Sequence, residues 1–73
     1  AKLERRIAEI EKEVAALEGE MRSIENTLAN PPADPARVQQ LGAAYAGLQK
    51  KIEDLMEEWT SQHIRLEENG ESV

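Results

Sequence analysis

Apolar side chains recur early in the chain at Leu3, Ile7, Ile10, Val14, Leu17, Met21, Ile24 and Leu28, with gaps that alternate four and three. This is a heptad seam, with Ile7, Val14, Met21 and Leu28 at a and Leu3, Ile10, Leu17 and Ile24 at d. A strand would need period two, which is missing here. The pattern predicts one amphipathic helix over about residues 2–29. Pro31 and Pro32 cannot continue it, and Asn30 is pushed out of helical geometry by the proline that follows it.

A second start signal comes at once. Asp34 is a good N-cap and Pro35 suits the first helical position. The seam then resumes at Val38, Leu41, Tyr45, Leu48, Ile52, Leu55, Trp59, Gln62 and Leu66, predicting a helix over about residues 35–69 after a turn at 30–34. Gly70, after Asn69, is the expected helix end, and the last three residues are expected to fray.

So short a connection favours an antiparallel pair, and the fold class expected is an all-α, two-helix coiled-coil hairpin forming one domain over 1–73. Two registers pair a with d. One sets Ile10 against Ile52 and Ile7 against Leu55, and opposes Arg6 to Glu58 and Glu13 to Lys51 on the flank. The other slides one heptad and opposes Arg6 to Arg65 and Glu13 to Glu58. The charges and the turn position favour the first. Gln62 and Leu66 then lie beyond Leu3 with no partner in this chain, which marks the hairpin as a domain excised from a longer protein.

Composition narrows the function classes. There is no Phe and no Cys, and Trp59 and Tyr45 are the only aromatics, so neither a rounded aromatic core nor a thiolate metal site is expected. The chain has no apolar run long enough for a membrane span and no visible signal peptide. The net charge of −6 is unevenly spread: −2 over residues 1–21, +2 over 22–51 and −6 over 52–73. A phosphate-binding surface therefore belongs near the turn. Its candidate residues are Arg22, Arg37, Lys50 and Lys51.

Catalytic chemistry is not indicated. His63 is the only histidine, and Ser61, two residues away on a helix, does not face it. Glu4, Glu11, Glu18 and Glu25 recur at e, with Glu13 and Glu20 at g, as solvated flanks of a coiled coil. Gly19, Gly42, Gly47 and Gly70 form no phosphate loop. Trp59 reads as core or as the cap of the core. The stretch Leu41-Gly42-Ala43-Ala44-Tyr45-Ala46-Gly47 thins the second helix, either to accommodate Tyr45 or to form a docking face.

Three stretches together resemble the C-terminal coiled-coil domain of ABC-F ATPases of the Uup type. They are Ile10-Glu11-Lys12-Glu13-Val14-Ala15-Ala16-Leu17-Glu18, then Ala33-Asp34-Pro35-Ala36-Arg37-Val38, then Ile52-Glu53-Asp54-Leu55-Met56-Glu57-Glu58-Trp59. The turn and the Trp at their mutual spacing are the specific part. The resemblance implies a cytoplasmic, non-catalytic appendix to an ATPase that carries two ATP-binding cassettes upstream and no membrane domain. ATP and Mg would be bound by that parent, and no cofactor by this chain. It also implies nucleic acid as a partner, either DNA or the RNA of a ribosome; the charge placement puts a weak contact of that kind at Arg22, Arg37, Lys50 and Lys51. The alternative expectation is a structural coiled coil for self-association or domain spacing.

Overall fold

The computed structural model describes residues 2–71. It contains two helices, α1 (Lys2–Ala29) and α2 (Pro35–Glu71), packed antiparallel along their lengths. The molecule measures 59 × 15 × 14 Å, a rod whose long axis is that of α2. At 1.5 Å rise per residue a helix of that length spans about 55 Å.

The turn is made by the chemistry that its sequence supplies. The Asn30 amide donates to the Thr27 carbonyl at 3.2 Å, and the prolines then end α1. Asp34 caps α2: its Oδ1 accepts from the Ala36 amide at 3.0 Å, and its carbonyl accepts from the amides of Arg37 and Val38 at 3.1 and 3.3 Å. These bonds satisfy amides that a bare helix start would leave without partners; such a cap is worth about 1 kcal/mol.

The far end differs from expectation. Helix α2 continues through Gly70 to Glu71, and no glycine among the described residues has positive φ. Glycine is favoured just past a helix end because it tolerates left-handed geometry, but it also fits a helical turn at modest cost. Of the residues expected to fray, Ser72 and Val73 lie outside the described residues.

Every seam residue from Leu3 to Leu66 is wholly or partly buried, and most off-seam residues are exposed. Only Ile7 (7% exposed) and Ile10 (0%) are fully buried among the described residues. Two helices cover one seam from one side each and leave both flanks open. Full burial therefore needs side chains that fold over a flank. Arg6 and Glu58 bridge the flank next to Ile7.

The same pair fixes the register. Arg6 Nε donates to Glu58 Oε2 at 2.6 Å and Arg6 Nη2 to Glu58 Oε1 at 2.7 Å, a bidentate fork. The heptad-shifted alternative would set Arg6 beside Arg65, so the fork excludes it. The second flank pair expected in this register, Glu13 with Lys51, is not closed. The two side chains line one groove without an ion pair. Both are exposed, and little is gained by ordering two long side chains in water.

Candidate nucleic-acid interface

The four basic residues of the turn half sit on different faces. Arg37 is exposed at g in the first turn of α2, next to the Asp34 cap. Arg22 is exposed on the e flank, where it borders a groove of about 370 Å³ with Glu18, Met21, Glu25, Gln49, Ile52 and Glu53. Lys51 lies on the opposite, g flank. It borders two consecutive grooves there, one beside Glu13, Leu17 and Leu55 and one beside Glu20, Ile24, Ala44 and Gly47. Lys50 is tied to its own helix: its Nζ donates to Asp54 Oδ1 at 3.2 Å, and this bond raises the ammonium pKa above its ordinary value.

The hairpin thus brings together no cluster of all four. Among the described residues, Arg22, Arg37 and Lys51 make no ion pair, whereas Lys50 has part of its charge answered by Asp54. The three unpaired charges point away from the rod on at least two sides.

A contact that sequence reasoning missed crosses the e flank. The Tyr45 hydroxyl donates to Glu25 Oε1 at 2.9 Å, and this bond raises the phenol pKa. Side chains on each helix lean toward their own N-terminus, so in an antiparallel pair those of the two helices lean toward each other. That lean, with the reach of a tyrosine, is the signal that could have located the partner. Tyr45 is therefore held between seam and flank. Its neighbours Gly42 and Gly47 are not what accommodates it: a Cβ built on either would meet nothing within 4 Å.

At the acidic end, the rings of Trp59 and His63 meet in a tilted contact, with centroids 4.5 Å apart and planes at 45°. His63 Nδ1 lies 3.9 Å from Glu67 Oε1. Among the described residues, no three His, Cys, Asp or Glu side chains converge to hold a metal. No described helix is long and apolar enough to cross a membrane.

The geometry defines a coiled-coil appendage, whose accessible features are shallow grooves and solvated charges distributed unequally from end to end. Residues 1–61 match the family described as the ABC transporter C-terminal domain, and the chain belongs to that family. It is an accessory domain of an ABC protein. The matched span takes in α1, the turn and α2 through Ser61. No curated protein and no solved structure matches the chain.

Proposed function

We propose that this hairpin is the non-catalytic C-terminal domain of a cytoplasmic ABC-F type ATPase, of the Uup kind, and that it touches nucleic acid end-on through its turn half. ATP and Mg belong to the cassettes upstream. The observation that carries this reading is the uneven charge along the chain. Residues 22–51 have a net charge of +2, and residues 52–73 a net charge of −6. A phosphate backbone laid along the whole length would meet the acidic end of α2, so favourable approach is confined to the turn. Arg22, Arg37 and Lys51 would make the contact, with Lys50 contributing less because Asp54 already holds it.

Contact with so few phosphates is weak and salt-sensitive, because each neutralised phosphate releases condensed counterions. Three contacts on a duplex give a slope of about −2.7 in log affinity against log salt. The test is a binding titration of the hairpin with short DNA and RNA duplexes at low and moderate salt, beside Arg37→Glu/Lys51→Glu. The expected result is binding at low salt that the variant loses. Equal binding by the variant would refute the basic-turn mechanism.

A second reading, a coiled coil for self-association or spacing, is favoured by the exposed apolar side chains Met56 (41%) and Ile64 (51%). Absence of nucleic-acid binding at low salt, with a concentration-dependent molecular mass, would make it the better one.

A further inference from the structure

Helix α2 has 37 residues against 28 in α1, and the excess lies at the open end. With Arg6 forked to Glu58, α1 reaches its first residues at about the level of Gln62. The rest of α2, roughly 13 Å at 1.5 Å per residue, runs on with no α1 beside it. This shelf keeps the seam pattern: Gln62 falls at d and Leu66 at a, and both are half-buried. Trp59 and His63 meet at its base, and Ile64 is half-exposed on it. One atom stands out. Gln62 Oε1 is buried and accepts no hydrogen bond. Buried amide oxygens are almost always satisfied, so this one calls for a donor.

Charge decides between occupants. A second copy would set Glu57, Glu67 and Glu68 of one shelf near the same acids of the other, with only Arg65 to offset them. The start of α1 is the opposite case. It carries Lys2, Arg5 and Arg6 against Glu4 and Glu9, a net charge of +1, and already binds the acidic end of α2 through the fork. Chain direction agrees, because the backbone entering α1 must arrive at the foot of the shelf.

We infer that in the ABC protein the polypeptide preceding Ala1 continues α1 as a helix and covers this shelf. Extending the heptad makes the match specific. The residue immediately before Ala1 takes an a position and faces Gln62, where a polar side chain there or beside it donates to Oε1. The residue four places further upstream takes d and packs on Leu66. The family match ends at residue 61, where the shelf begins, so membership of the family does not assign this surface.

The test uses the parent protein. The hairpin has no cysteine of its own, so introduced thiols in it are unambiguous. One pair places cysteines at Leu66 and at the fifth residue before Ala1. A control pair joins Leu66→Cys to a cysteine at the third residue before Ala1, which the heptad turns outward. An intramolecular disulfide in the first pair and none in the control is expected. Crosslinking in neither, equal crosslinking in both, or a disulfide between two copies overturns the inference. A second readout needs no substitution: amide exchange over residues 61–68 should be at least about tenfold slower in the parent protein than in the 73-residue hairpin. Equal rates would also overturn it.

Discussion

The two halves of the hairpin share one heptad pattern and are not equally buried. Ile7 and Ile10 are closed to solvent, although the facing Leu55 and Ile52 are only partly buried. From Leu17 to Leu28 and from Val38 to Leu48, seam residues of the same kind stay half-exposed. The difference lies off the seam. Beside Ile7 the flank carries Arg6 and Glu58, joined by the bidentate fork. In the turn half, the flanks of α2 carry Gly42 and Ala44, with Ala43, Ala46 and Gly47 on its outer faces, and these offer nothing to fold over. In a two-helix coiled coil, burial is set by what borders the seam as much as by the seam itself. The open end of α2 is the more acidic region, with a net charge of −6 over residues 52–73 against −2 over residues 17–48. Stability and the proposed contact thus fall at opposite ends of the rod.

The comparison breaks most readily in the core. Ile10→Ala removes a side chain with no exposed surface and should cost about 3 kcal/mol in a urea melt. Leu41→Ala, in a half-exposed layer of the turn half, should cost less than half as much. Equal losses would mean that the two halves are packed alike. The next effect has the opposite sign. Gly42→Ala and Gly47→Ala should each stabilise the hairpin by about 1 kcal/mol, because the added methyl meets nothing within 4 Å and the helix gains propensity. A loss at either position would show that its bare backbone is already covered, by a second copy for instance.

The smallest expected effect sharpens the role of the fork. The Arg6 guanidinium holds the Glu58 carboxyl below the usual carboxylate range, and the Arg6 pKa rises in turn. A carboxyl depressed in the folded state adds stability above its unfolded pKa, and that contribution is lost as pH falls through the folded value. Glu58→Gln should therefore melt slightly below wild type at neutral pH, with the two curves converging in acid. Both side chains are more than a third exposed, so added salt should narrow the gap as well. A difference unchanged from neutral to acid would assign the loss to packing rather than charge.

Most of this fold is legible from spacing alone. Alternating gaps of three and four place both helices, and Pro31, Pro32, Asp34 and Pro35 place the turn, because each of these residues acts through its own backbone chemistry. The Arg6–Glu58 pair follows from the register, since facing flank positions are fixed once the layers are. Contacts that depend on the direction of a side chain are harder to read. Tyr45 reaches Glu25 across the flank, and Lys50 turns to Asp54 on its own helix, while Glu13 and Lys51 stay apart. Gly70 does not end α2, because a preference for a helix terminus is weaker than a proline's prohibition. For the candidate site, the charge balance could be read but its dispersal could not. Arg22 and Lys51 belong to one charge segment, yet they fall on opposite flanks of the rod.

The central claim is that segment 22–51, and not the acidic segment that follows it, meets nucleic acid. An amide-resolved NMR titration of the hairpin with a short duplex at low salt tests it most directly. The account predicts shift changes gathered in residues 22–51, strongest near Arg22, Arg37 and Lys51, and reversed by added salt. Changes centred on residues 52–71, or spread evenly along both helices, would contradict it.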